Sequence, residues 1–266
     1  MKTRLPLYVT VSALLTLGFL YVPMLAVAVL SLNNSRYGTV WQGATLQWYR
    51  QVLHDDVILE YARNTLVLAV VSTLVATVLG TLMAIGMARF PWRRTTRGVL
   101  DFLVYLPVVT PDIIFAAAVV VAFRLLVPVW DRFQPGLLDM IIGHVTFQIA
   151  FVAIVVHSRL VTLGHTLEEA ARDLYARPFY LLRTVTLPLL APAVVAGAML
   201  AFTLSLDDFV ISFFTAGPQS TTLPLFIYAS GRRGVTPEIH ALSTLVFLVT
   251  VLLVIATGLL ARYRRD

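Results

Sequence analysis

The chain has 266 residues, of which 59% are hydrophobic and 13% charged, and its formal net charge at pH 7 is +6. Soluble domains carry roughly 25% charged residues, so this composition excludes an ordinary water-soluble protein and indicates a membrane protein. The absence of cysteine excludes disulfides and thiolate metal sites. The arginines flank long apolar runs, which favours basic ends of membrane spans over a nucleic-acid-binding surface.

Six apolar segments are long enough to cross a bilayer, since a spanning helix needs about 20 mostly apolar residues. They are 6–31, 64–88, 99–127, 137–158, 189–214 and 239–261. The first exceeds the roughly 7–15-residue apolar core of a signal peptide, so we expect an uncleaved span. The sequence therefore predicts an all-α membrane protein with six transmembrane helices, organised as one domain over 1–266.

Arginine placement predicts the orientation of these spans. One set of span ends carries Lys2, Arg4, Arg89, Arg93, Arg94, Arg97, Arg159, Arg172, Arg177, Arg183, Arg262, Arg264 and Arg265. The opposite ends carry Arg36, Arg50, Arg63, Arg132, Arg232 and Arg233. Because positively charged residues accumulate on the cytoplasmic side, the first set, including both termini, is predicted to be cytoplasmic.

Three of the aspartates inside the predicted spans are candidate substrate-pathway residues. Asp112 follows Pro111 near the middle of the third span, and Asp207 and Asp208 lie in the outer half of the fifth. Ionisable groups are costly inside a bilayer and are therefore candidates for a substrate pathway. The alternative for each is a structural hydrogen bond to a serine or threonine of a neighbouring helix, for example Ser205.

Two phenylalanines near the aspartates, Phe202 and Phe209, are able to add cation–π contacts to an alkylammonium group. Carboxylates combined with aromatic rings suit a flexible polycation, although phenylalanines in a span more commonly contact lipid or core. His144 and Gln148 lie one helical turn apart on the fourth span. They are predicted to form interhelical hydrogen bonds or, alternatively, to line the pathway.

The loop 159–188 contains a charged helical element, T-L-E-E-A-A-R-D-L-Y-A-R-P-F-Y-L-L-R-T-V-T-L-P, from residue 166 onward. Thr166 with Glu169 three residues later fits a capping box and predicts a helix start. Glu168 with Arg172, and Asp173 with Arg177, are spaced as surface ion pairs. The opposite face is apolar and comprises Leu167, Ala170, Ala171 and Leu174. A partner's groove or the membrane surface would bury it.

The tripeptide Glu169-Ala170-Ala171, followed at matching spacing by Leu187-Pro188, resembles the EAA loop of type I ABC importer permeases. The resemblance implies a coupling helix in a cleft of a cytoplasmic ATPase, with contacts from Glu169, Ala170, Ala171, Asp173, Tyr175, Leu187 and Pro188. Tyr175 stands where the family has glycine, and a left-handed turn costs other residues about 1–2 kcal/mol. We therefore expect the turn to shift toward Ala176 and Arg177.

Further segments resemble the spermidine/putrescine permeases: F-L-Y-V-P-M at 19–24, Leu106-Pro107, Pro111-Asp112, A-F-T-L-S-L-D-D-F at 201–209, T-T-L-P at 221–224 and G-V-T-P-E-I at 234–239. This resemblance implies polyamine import through the cell inner membrane. It also implies a second permease subunit, two ATPases and a periplasmic binding protein as partners. The chain has no G-x-x-x-x-G-K-[ST] phosphate loop, so ATP and Mg²⁺ are expected on the ATPase partner, with no cofactor and no catalysis on this chain.

Two alternatives remain from the sequence. The same kind of importer could carry another small solute, such as iron, thiamine or a phosphonate, although the aspartates argue against an anionic cargo. A secondary transporter could instead use the aspartates for ion coupling. The chain shows no duplicated halves or paired broken helices, which weighs against that class.

The predicted orientation is testable because the native chain contains no cysteine. Single cysteines introduced at Gln42 and Gln219 should react with an impermeant thiol reagent applied from outside. A cysteine at Thr96 should react only after permeabilisation, and labelling in the opposite sense would reverse the orientation.

Overall fold

A computed structural model of the protein describes residues 7–35, 40–126, 135–232 and 234–263, with side chains beyond 252 described only at 255. The helices of these residues are α1 (Leu7–Leu30), α2 (Gln47–His54), α3 (Asp56–Arg89), α4 (Arg94–Val109), α5 (Asp112–Leu126), α6 (Leu137–Leu163), α7 (Thr166–Asp173), α8 (Pro178–Leu181), α9 (Leu187–Leu206), α10 (Val210–Thr215), α11 (Leu223–Gly231) and α12 (Pro237–Tyr263). A π-helical turn, Leu182–Thr186, joins α8 to α9. The predicted all-α class is confirmed.

Four helices in the described ranges are long and apolar enough to cross a membrane alone: α1, α3, α6 and the continuous helix Pro178–Leu206, which comprises α8, the π-helical turn and α9. The bent pair α4 and α5 would make a fifth span. The sixth predicted span lies within α12, whose apolar part is described over Pro237–Leu252. The count of six and the cytoplasmic termini therefore stay predictions. Lys2, Arg4, Arg36, Arg132, Arg233, Arg264 and Arg265 lie outside the described residues.

The third predicted span is two helices joined at a sharp bend, where Pro111 is expected to distort the helix. α4 and α5 meet at an angle of 114°. Thr110 is extended, with ψ at 131°, as expected before proline, and its amide closes α4 on Leu106 O. The carbonyl of Pro111 then accepts hydrogen bonds from Ile114 and Phe115 and opens α5. Asp112 is consequently the first residue of α5 and lies at the bend of this pair.

The fifth predicted span also ends earlier than expected, at Leu206. Residues 207–209 form a break, and the short helix α10 begins at Val210. Aspartate side chains compete with the backbone for hydrogen bonds and therefore favour helix ends over helix interiors. Asp207 and Asp208 accordingly occupy this break rather than consecutive helical positions.

The helices pack into two compact units, Met1–Glu60 with Phe226–Asp266, and Tyr61–Leu225. In the first unit, α1 and α2 both pack against α12. In the connection between α1 and α2, Asn33 Oδ1 accepts hydrogen bonds from the amides of Ser35 and Gln42, and the backbone carbonyl of Asn33 accepts one from the indole of Trp48. These bonds order the segment between α1 and α2.

In the second unit, α6 packs along α9, and Val152 lies at the centre of the contact. A Cβ atom at Gly197 of α9 would lie 3.3 Å from Val152 Cγ1, and one at Gly80 of α3 would lie 2.8 Å from Val152 Cβ. Two glycines therefore let two helices approach the same valine closely. The surrounding core comprises Ala84, Val156, Leu160, Leu190 and Ala201.

Candidate functional sites

The break between α9 and α10 gives its two aspartates different surroundings. The carboxylate of Asp208 caps α10, with Oδ1 accepting from the amide of Ile211 at 3.2 Å and Oδ2 from that of Ser212 at 2.8 Å. Asp207 ends α9, its amide donating to Thr203 O at 3.4 Å, and its side chain is exposed. Asp207 therefore offers a carboxylate to solvent, whereas that of Asp208 is engaged by the fold.

His144 of α6 contacts the capping carboxylate of Asp208 from the buried side. Its side chain is 1% exposed, and Nε2 lies 3.2 Å from Asp208 Oδ2. The same nitrogen lies 3.2 Å from Ser212 Oγ, while Nδ1 lies 2.8 Å from Ser205 Oγ. Because an ionised carboxylate only accepts hydrogen bonds, Nε2 must carry the proton that joins it to Asp208.

Further polar contacts extend this group into a network across α3, α6, α9 and α10. The hydroxyls of Ser205 and Ser72 lie 3.2 Å apart. The amide of Gln148 donates to Ser72 Oγ at 3.2 Å and to Ala201 O at 3.1 Å. The predicted role of His144 and Gln148 as interhelical hydrogen-bonding residues is confirmed, and the network is called the His144 network below.

Asp112 lies toward the same end of the α5–α10 pair as Asp207. Val119 of α5 and Ile211 of α10 both lie against Gly143 of α6. Beyond them one depression is lined by Val120, Phe123, Arg124, Phe214 and Thr215, so α5 and α10 run in the same direction. Asp112 is seven residues before Val119, about 10 Å along the helix. Its side chain is exposed, as is that of Asp207.

The predicted aromatic residues Phe202 and Phe209 are both half-buried. The ring of Phe209 lies 5.4 Å from that of Phe213, which continues the aromatic surface along α10. Sequence reasoning missed a second aromatic series, in which Phe115, Phe147 and Phe151 are spaced by 5.8 and 4.8 Å. The available signal was the i,i+4 pair on the fourth span. No three histidine or acidic side chains in the described segments group as metal ligands.

The capping box predicted for the charged loop is wrong. α7 has His165 as its N-cap and Thr166 as its first residue, and no side chain caps the helix. The amide of Glu169 donates to His165 O instead. The helix is entered from Gly164, whose φ of 67° turns the chain and whose carbonyl accepts from Arg89 Nη2 at 2.8 Å.

Glu168 is 5% exposed and does not form the predicted surface pair with Arg172. It pairs with Arg89 at the end of α3, with 2.9 Å between Nε and Oε2, and accepts a hydrogen bond from Thr186 Oγ1 at 3.0 Å. This buried contact ties α7 both to α3 and to the π-helical turn. Asp173 and Arg177 are both described but do not form the predicted ion pair. Because α7 ends at Asp173, the two residues do not share a helix.

The expected shift of the turn after α7 is wrong as well. Tyr175 itself adopts the left-handed conformation, with φ at 58°. The amide of Ala176 donates to Ala171 O and that of Tyr175 to Arg172 O, which is the Schellman pattern that glycine usually completes. These two bonds offset the cost of a left-handed tyrosine, and the side chain of Tyr175 is 94% exposed.

The other predicted coupling residues are mostly accessible. Glu169, Ala170, Asp173, Leu187 and Pro188 are exposed, and Ala171 is half-buried. Large apolar side chains also point outward from α7, its turn and α8: Leu167, Leu174, Tyr175, Phe179 and Tyr180. The described part of the chain leaves this surface, called the coupling surface below, uncovered.

Comparison with known proteins defines the class. Residues 76–264 match the family described as "Binding-protein-dependent transport system inner membrane component". The chain belongs to this family, as predicted from the EAA-like loop, and is a multi-pass protein of the inner membrane.

Individual relatives are similar over most of their length. The chain is 41% identical to the putrescine transport system permease protein PotI of Escherichia coli, over 88% of this chain and 83% of that protein. It is 39% identical to the E. coli spermidine/putrescine transport system permease protein PotC, over 92% and 90%. In fold it resembles a bacterial ABC transporter that imports alginate, with a TM-score of 0.74, 20% identity and coverage of 97% and 95%. That likeness establishes the permease fold.

Replacing the two neighbouring glutamates of α7 should change the stability of the protein by different amounts. Glu168→Ala leaves the half-buried Arg89 without its carboxylate partner, and breaking a buried ion pair costs about 3–5 kcal/mol. We expect a clear fall in the melting temperature of the purified protein. Glu169→Ala is the matched control and should melt like the native chain, because its side chain is exposed. Equal melting of the two variants would contradict a buried anchor at Glu168.

The two neighbouring aspartates of the break provide a second matched pair. Asp208→Asn places a donor where the carboxylate accepts, so a cap worth about 1 kcal/mol is weakened. An unpaired buried group adds about 1–3 kcal/mol. Thermal melting should therefore show Asp208→Asn destabilised and Asp207→Asn unchanged. A native melting temperature for Asp208→Asn would argue against the cap.

Proposed function

We propose that this chain is a membrane-spanning permease subunit of an ATP-driven importer that translocates polyamines such as putrescine and spermidine. The observation that supports this choice of substrate is the sequence identity of 39–41% to relatives named for polyamines, over 88–92% of the chain. The exposed carboxylates of Asp112 and Asp207 have the charge that a polycation requires. They argue against an anionic solute such as a phosphonate.

Within the site, we assign the substrate ammonium groups to Asp207 and Asp112. Asp208 takes part indirectly, since its oxygens already accept hydrogen bonds from Ile211 and Ser212. Phe209 lies in the break and Phe202 near the end of α9, and both are able to supply cation–π attraction to the alkylammonium chain. Charges at the ends of a flexible polycation match carboxylates that lie on separate helices.

Energy for transport would come from a pair of ABC ATPases that bind ATP and Mg²⁺ on other chains, since this sequence lacks a phosphate loop. The coupling surface is the apolar face that such a partner would cover. Motion of α7 would reach α3 through Arg89 and Glu168, and α9 through Thr186. The bundle would then alternate between inward and outward access.

Two further partners complete the proposed importer. A second permease subunit, which we expect to be a different chain, would supply the other half of the pathway. An extracytoplasmic binding protein would deliver the polyamine. A similar solved transporter, TM-score 0.74 and 19% identity, is in complex with an alginate pentasaccharide-bound periplasmic protein. The whole chain, 1–266, would act as one permease domain.

The test is uptake by the complex reconstituted in vesicles with its ATPase, second permease and binding protein. Labelled putrescine, spermidine and spermine should accumulate only with ATP and binding protein. Asp207→Asn should weaken the translocation site roughly ten- to hundredfold, because a hydrogen bond to a charged group contributes about 1.5–3 kcal/mol. Asp101→Asn, a half-buried carboxylate of α4, is the control.

Uptake of iron, thiamine or another solute in place of the polyamines would show that the cargo assignment is wrong. Uptake driven by an ion gradient without ATP would favour a secondary transporter. Native uptake by a stable Asp207→Asn complex would remove Asp207 from the substrate site.

A further inference from the structure

We propose that His144 is a positioning residue for translocation: through Asp208 it sets the break between α9 and α10 and thereby the direction in which Asp207 faces the pathway. This inference rests on the proposed function. It assigns a role to a buried side chain that has no access to substrate, since His144 is 1% exposed.

With a neutral imidazole and an ionised Asp208, one arrangement of protons satisfies all the contacts from Gln148 through Ser72, Ser205 and His144 to Asp208 together. Nε2–H donates to Asp208 Oδ2, so Nδ1 is the acceptor and the Ser205 hydroxyl donates to it. Ser205 Oγ is then free to accept from Ser72, and Ser72 Oγ accepts from the amide of Gln148. Every hydrogen bond in this series therefore donates in the direction of Asp208, and the negatively charged carboxylate is the final acceptor.

The network fixes the backbone at the point where the helix is interrupted. Asp208 is held by His144 on one side and by the α10 amides of Ile211 and Ser212 on the other. Asp207 is adjacent in sequence, with its Cα about 3.8 Å away. A change in the backbone at Asp208 therefore redirects the carboxylate of Asp207.

Close packing beside His144 makes this geometry possible. A Cβ at Gly143 would lie 3.1 Å from Ile211 Cγ2, so the glycine lets α10 approach α6. That approach brings Ser212 and Asp208 within hydrogen-bonding distance of the neighbouring imidazole. The network thus depends on a pair of consecutive residues in α6, one small and one polar.

Two isosteric variants separate positioning from general stability. In His144→Gln, the side-chain amide reaches the place of Nε2 and keeps a donor to Asp208. In His144→Asn, the amide reaches only the place of Nδ1, so Ser205 keeps its partner and Asp208 loses one. We expect the KM for polyamine uptake by the reconstituted complex to stay within about twofold in His144→Gln and to rise at least tenfold in His144→Asn. The double variant His144→Asn with Asp208→Asn should raise KM no further than Asp208→Asn alone, because the change at His144 acts only through Asp208.

A second readout is independent of the cargo. Asp207→Cys provides a single thiol, since the native chain has no cysteine. Its labelling by a hydrophilic maleimide should match between the native and His144→Gln backgrounds and slow at least threefold with His144→Asn. Slower labelling with no polyamine uptake by the native complex would keep the positioning role and reject the proposed cargo.

Equal labelling and equal KM in the two His144 variants would overturn the proposal. A fall in maximal uptake and melting temperature in both variants, with KM unchanged, would also overturn it and leave His144 a structural residue only.

Discussion

A charged side chain inside a membrane-spanning bundle must find its hydrogen-bonding partners within the protein, because lipid supplies none. The contact between Asp208 and His144 answers this constraint in the second unit. The Asp208 carboxylate accepts hydrogen bonds from two backbone amides and from the His144 imidazole. The other imidazole nitrogen is hydrogen-bonded to Ser205, which in turn contacts Ser72. The amides of Ile211 and Ser212 at the start of α10 are thereby satisfied where the chain is interrupted. The exposed neighbour, Asp207, is a product of that interruption.

The same reasoning applies to the charged loop. The Glu168 and Arg89 side chains are both largely buried and neutralise each other; Thr186 donates a further hydrogen bond to Glu168, and Gly164 O accepts one from Arg89. The result is a small rigid junction of α3, α7 and the π-helical turn. The accessible residues around it, such as Tyr175 and Glu169, are left to meet a partner. Buried polar contacts thus shape the fold, and exposed ones offer recognition.

Features that depend on one property of a continuous stretch of sequence, such as the length of an apolar helix, were predictable. Apolar length identified α1, α3 and α6, and the spacing of Glu169-Ala170-Ala171 with Leu187-Pro188 identified the family and the loop. Features that depend on competition between partners were not predictable. Helical periodicity offered Arg172 to Glu168, but the fold supplied Arg89, which is distant in sequence and better buried.

The local rules at Tyr175 and Asp208 failed for a related reason. Propensity disfavours a left-handed tyrosine, yet two Schellman hydrogen bonds are formed only if the chain turns there. Hydropathy ran the fifth span through Asp208, because the apolar residues after it resemble a helix that continues. The capping bonds to Ile211 and Ser212 are visible only once α10 is known to start anew. Sequence reasoning therefore left open which of the two aspartates is structural.

The continuous helix Pro178–Leu206 begins beside Tyr175 and ends beside Asp207. Its 29 residues correspond to a rod about 43 Å long. Thr186 lies within this helix and is held by Glu168, so the buried junction would be the pivot when α7 moves under the proposed coupling. Leu206 lies about 30 Å beyond Thr186 along the helix, so a tilt of about 10° at this pivot would move it by about 5 Å. A small movement at the charged loop would thus be transmitted through one continuous helix to the residue next to Asp207.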